Sequence, residues 1–153
     1  MNQLIVYLVT VAIFVSIDLI WLGFIAKSFY AAEIGTLFAE KMSLSAAALF
    51  YLIYAAGLVF FAVQPGLTTG GWLRAAMLGG VFGFVAYATY DLSNLATLRG
   101  WSTKLAIVDM VWGAVLSGFT AAIAVFVAER LFGQSAMQLS FRAALRALAS
   151  FKI

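Results

Sequence analysis

A chain of 153 residues that is 65% apolar and only 10% charged, with a mean hydropathy of +1.08, is composed for a bilayer, since soluble domains are about 25% charged. It has no cysteine and no histidine, which excludes disulfides, thiolate nucleophiles, iron–sulfur and structural zinc sites, imidazole haem ligation and the usual near-neutral proton shuttle. The net charge of +3 gathers towards the C-terminus, which suits a membrane surface rather than nucleic acid; no cofactor and no metal site are expected.

Residues 4–26 form the first span. Their rise of about 35 Å as a helix is enough to cross with some tilt, and the one charge among them is Asp18. A cleaved signal peptide is disfavoured, because basic residues do not precede the run and its length exceeds about 7–15 apolar residues. Residues 27–43 read as a connecting segment carrying Lys27, Glu33, Glu40 and Lys41. Residues 44–63 are an uncharged second span, expected to stop at Gln64-Pro65-Gly66, with Thr68-Thr69-Gly70-Gly71 completing a turn. The third span starts near Trp72, with Arg74 at its beginning, and runs to about Leu95. After a short loop with Arg99, Gly100 and Lys104, the fourth span covers residues 105–128 and ends at Glu129-Arg130.

Short loops make consecutive spans antiparallel neighbours, and the alternation of about 10 residues that barrel strands need is absent. The fold expected is all-α: an integral membrane four-helix bundle over residues 1–132. Residues 133–153 form a basic tail, in which Met137, Phe141, Leu145 and Leu148 recur at helical spacing beside Arg142, Arg146 and Lys152. That pattern predicts an amphipathic helix lying on an anionic leaflet. Arg74, Arg130, Arg142, Arg146 and Lys152 fall on the side of the termini, against Lys27, Lys41, Arg99 and Lys104 opposite, so the positive-inside rule puts both termini in the cytoplasm.

Acidic residues at membrane depth are costly and by default functional. Counting about 1.5 Å per residue, Asp18 lies a few ångströms past the midplane, and Asp91 and Asp109 lie about 10–11 Å from it. All three fall in the half opposite the termini, whichever way the chain is oriented. Tyr87 and Asn94 sit one turn either side of Asp91 and Tyr90 precedes it. Trp21 and Trp112 follow Asp18 and Asp109 at i+3, and Tyr51 and Tyr54 offer hydroxyls from the second span. These ten residues are the candidate polar site. The competing reading is structural: interhelical bonds that fix register, or, for Asp91 and Asp109, caps or pairing with Arg99 and Lys104. Gly79-x-x-x-Gly83 permits close helix approach, inside the chain in preference to a dimer. Trp72 and Trp101 read as interfacial belt residues.

The order D-x-x-W, Y-x-x-Y, Y-x-x-Y, D-x-x-W (from Asp18, Tyr51, Tyr87 and Asp109) is mirrored along the chain, a hint of the inverted repeats seen in transporters. Asp18-x-x-Trp21-x-Gly23, Phe50-Tyr51, the run Thr89-Tyr90-Asp91-Leu92-Ser93-Asn94-Leu95-Ala96-Thr97-Leu98 and Asp109-x-x-Trp112-Gly113 resemble the bacterial membrane family catalogued as domain of unknown function 2177. The resemblance covers about residues 4–132. Ser93 stands where threonine is the commoner residue, which keeps the hydroxyl. The resemblance implies a small multi-pass inner-membrane protein and no established activity.

Three functions compete. The first is binding or transport of a small cation, an amine or protons at the carboxylates and aromatics, with a homodimer expected because one protomer has little room for a path. The second is a membrane-embedded enzyme on a lipid or isoprenoid-like substrate, using the aspartates as acid–base groups or oxygen ligands. A recognisable catalytic motif is missing, so the balance is against an enzyme. The third is an accessory or structural subunit.

Overall fold

The computed structural model describes the backbone of residues 2–150 and the side chains of residues 2–133. Helix α1, Gln3–Ile20, starts where the Asn2 side chain accepts the Leu4 N–H at 3.0 Å and is prolonged by a single π turn, Trp21–Ile25. Ala26 breaks the helix, and the short α2, Lys27–Ile34, follows. Ser43 caps α3, Leu44–Leu58; a second π turn, Val59–Val63, and one further turn, α4, Gln64–Thr68, continue it. Helix α5 is Gly71–Thr97 and α6 is Thr103–Ser150. Four stretches are long and apolar enough to cross a membrane: Gln3–Ile25, Leu44–Thr68, Gly71–Thr97 and Thr103–Gly133. The expected all-α, four-span architecture is therefore what the chain adopts. The amphipathic face expected of residues 137–152 rests on side chains outside the described residues.

Two boundaries differ from the sequence expectation. The second span does not stop at Pro65 but continues to Thr68. The π turn explains this: the Gln64 N–H bonds back to the Val59 carbonyl, so the ladder is already widened where proline brings a ring and no donor. The stop is made instead by Gly70, whose φ of +88° is a left-handed conformation open to glycine. The segment after the first span is also no mere connector, since eight of its residues form α2.

Helix α6 is the centre of the bundle, packing against α1, α5 and the second span, while α1 also packs on α3. Lipid offers helices no hydrophobic incentive to associate, so close packing and interhelical bonds must do it. Along α5 and α6 that packing depends on glycine. A Cβ at Gly79 would lie 2.6 Å from the Ser117 carbonyl oxygen, and one at Gly83 would lie 2.0 Å from that of Gly113. The Gly79-x-x-x-Gly83 pair thus works inside the chain. Phe14 of α1 stacks on Tyr54 of α3 with ring centroids 4.7 Å apart, in a core with Leu58, Val63, Leu116 and Val125. The outer faces carry exposed Phe24, Ile53, Phe60, Val81 and Phe119, as a lipid-facing surface should.

Candidate functional site

The half of the bundle opposite the termini encloses a cavity of about 540 Å³. Asp18, Asp109 and Trp112 form one wall, Tyr51, Tyr54, Tyr87 and Tyr90 line much of the rest, and Tyr30 of α2 completes it; none of the lining residues is Lys or Arg.

Asp18, only 3% exposed, accepts on both oxygens: from Tyr51 Oη at 2.8 Å on Oδ2 and from Trp112 Nε1 at 3.1 Å on Oδ1. An indole N–H can only donate, so Oδ1 is fixed as an acceptor. Asp109, 5% exposed, accepts the hydroxyl of Tyr30 on Oδ1. Its Oδ2 accepts no bond from the described residues and belongs to a side chain that faces the cavity. Trp21 donates to the Tyr30 oxygen at 3.4 Å, and its ring stacks on that of Trp112, centroids 4.1 Å apart and planes 11° from parallel.

This arrangement resolves the repeated D-x-x-W pattern. Each tryptophan serves the aspartate of the other helix: Trp112 of α6 bonds Asp18 of α1 directly, and Trp21 reaches Asp109 of α6 through Tyr30. The stacked indoles are the crossing point. Spacing along one helix brought each Asp–Trp pair to one face, but only the packing of α1 on α6 exchanges the partners.

Tyr30 lies outside the spans, and its hydroxyl is pushed well above the usual range, by burial first and then by the bond to Asp109, so it remains a donor. Helix α2 is tied down at its other end by Glu33, which accepts from the Ser102 hydroxyl and from Lys104 Nζ at 3.2 Å. The Ser102 bond and then Lys104 hold the Glu33 carboxyl below its ordinary range. Lys104 therefore pairs with Glu33, not with Asp91 or Asp109.

Of the ten residues singled out from sequence, seven line the cavity: Asp18, Tyr51, Tyr54, Tyr87, Tyr90, Asp109 and Trp112. Trp21 stands behind the wall against Trp112. Tyr54 bonds the Ser117 hydroxyl at 2.8 Å rather than a carboxylate. Asn94 and Asp91 do not line the cavity. Asp91 is fully buried, and neither its oxygens nor the indole N–H of Trp101 makes a hydrogen bond among the described residues. Of the three acids, Asp18 and Asp109 thus share the cavity and Asp91 does not. Sequence reasoning misses Tyr30, because its segment reads as a connector; the aromatic pair Phe29-Tyr30 between Lys27 and Glu33 is the available signal.

Residues 3–126 match the family model described as predicted membrane protein, DUF2177. No curated protein and no solved structure matches the chain.

Proposed function

We propose, for a chain that belongs to the DUF2177 family of predicted membrane proteins, that the cavity binds a small organic cation carrying an ammonium group. One observation carries the reading: two acidic side chains, five tyrosines and one tryptophan line one chamber, and among the described residues the lining supplies no cation of its own. An ammonium held over an aromatic face gains about 0.5–2 kcal/mol, most when desolvated, and a carboxylate at membrane depth calls for a positive partner. The volume of about 540 Å³ lies within the roughly 300–1,000 Å³ of small-molecule sites. Binding rather than passage is the better-supported act, because α5 and α6 close directly on each other at Gly79 and Gly83, on the terminal side of the cavity.

The stacked Trp21 and Trp112 make the test direct. Tetramethylammonium titrated into the purified protein should change tryptophan fluorescence saturably, and the Asp18→Asn/Asp109→Asn double variant should lose that response. An equal response in both proteins, or the same response to acetate, defeats the reading. We further place the termini on the cytoplasmic side of an inner membrane, on the bias of Lys and Arg. The cavity then lies in the outer half. Because the chain lacks cysteine, an Arg99→Cys variant labelled by an impermeant maleimide from outside the cell tests this; labelling only after permeabilisation reverses it.

A further inference from the structure

Towards water the cavity is bordered by α2 and the exposed Met42, and at membrane depth by exposed aromatic side chains. On the aqueous side, α2 is fastened to the start of α6 through Glu33 and to Asp109 through Tyr30. Sideways the situation is different. Helices α3 and α5 meet where Tyr54 and Gly57 press on Phe82, with the Tyr54 and Phe82 rings 5.2 Å apart. Beyond that contact the cavity lies between them, with Ala47 and Phe50 on one lip and Ala86 and Tyr90 on the other.

Both lip aromatics are half-exposed, Phe50 at 43% and Tyr90 at 56%. Their depth shows what they are exposed to. Phe50 is six residues inside the start of α3 and Tyr90 seven inside the end of α5, about 9–10 Å from the helix ends. The second and third spans, of 25 and 27 residues, are about 38–40 Å long against a hydrocarbon core of about 30 Å. The lips therefore sit about 5 Å inside the hydrocarbon edge, where an acyl chain meets its headgroup. Inside, Asp109 is 95% buried (5% exposed) and presents an oxygen, Oδ2, with no partner among the described residues.

We infer that the occupant of this site is an amphiphile, whose ammonium head enters between α3 and α5 to reach Asp18 and Asp109 while its apolar tail stays in the bilayer. The inference rests on the ammonium reading above and adds the source of the ligand. A small ammonium dissolved in water reaches the chamber past α2 and Met42, whereas one carried by a lipid arrives at membrane depth, where the exposed Phe50 and Tyr90 border the cavity. Phosphatidylethanolamine carries such a head; phosphatidylglycerol is the matched lipid without it.

The full chain, reconstituted in vesicles of equal phosphatidylethanolamine and phosphatidylglycerol and extracted for native mass spectrometry, should retain the amine lipid about tenfold over the other. Asp18→Asn/Asp109→Asn should abolish that preference. Ala86→Trp, which fills the opening, should lower it, and Ala47→Trp on the opposite lip repeats the block should the first variant fold poorly. No preference in a wild-type protein that still responds to tetramethylammonium overturns lateral access and leaves the ammonium reading standing. Absence of both responses overturns both. A preference that survives the aspartate and lip variants assigns the lipid to the outer surface and also overturns the inference.

Discussion

The two halves of this bundle are built from the same four spans by opposite means. Towards the termini, α5 and α6 close over Gly79, Gly83, Ala75 and Ala121, and Gln64 reaches Gln3 across the first two spans at 2.7 Å. Between these two helices small residues face each other, while Val6, Leu58, Val63 and Val125 fill the core beside them. Towards the other end, the interior positions belong to Asp18, Asp109, four tyrosines of the spans and the stacked indoles, with the chamber among them. Small residues bring backbones within contact, which gains dispersion over many atoms. Bulky polar residues hold helices apart and must then satisfy one another. The first means makes a seal and the second makes a site.

The sharpest way to break this contrast is to put a side chain into the seal. Gly83→Val places a Cβ 2.0 Å from the Gly113 carbonyl oxygen, a backbone atom that cannot turn aside. Helix α5 must then move off α6, at an expected cost of about 3 kcal/mol or more. Thermal unfolding followed by circular dichroism measures this against Gly23→Ala, whose added methyl meets nothing within 4 Å and should change stability little.

In the site half the expected effect is smaller, because polar pairs in membranes contribute modestly. Tyr30→Phe removes the donor to Asp109 and the acceptor for Trp21. It should cost about 1 kcal/mol and alter the emission of the stacked indoles. A double-mutant cycle with Asp109→Asn separates that bond from the general effect of either change; additive losses would show that the two side chains are not coupled.

The smallest effect belongs to the tie between α2 and α6. Glu33 is held below its ordinary range, so its contribution to stability is full above the unfolded glutamate value, about 4.3, and is lost as pH falls through the lowered folded value. The melting-temperature difference between wild type and Glu33→Gln should therefore be largest near neutrality and vanish on acidification. A difference that is constant with pH would show that the carboxylate charge is not what ties α2 down.

Much of this half-and-half organisation was legible along the chain. The spans follow from runs of apolar residues, and the rise per residue put Asp18, Asp91 and Asp109 in one half before any packing was known. Seven of the ten residues chosen on those grounds line the cavity. Asp91 shows where such reasoning ends. It lies in the most polar run of any span, yet the rotation of α5 turns it away from the chamber, leaving it buried and without a hydrogen bond among the described residues. Tyr30 shows the converse, a residue outside every span that bridges Trp21 to Asp109.

What the sequence by itself determined is therefore the number of spans, their direction and the depth of each acid, because hydropathy and helical rise are local properties of the chain. What the tertiary structure decided is which aspartate each tryptophan serves, which acids share a cavity and which residues outside the spans join it. Those depend on the rotation of each helix about its own axis and on how closely its neighbour approaches. Both are set by contacts such as Gly83 on Gly113 and Trp21 on Trp112, between residues about 30 and 90 positions apart along the chain.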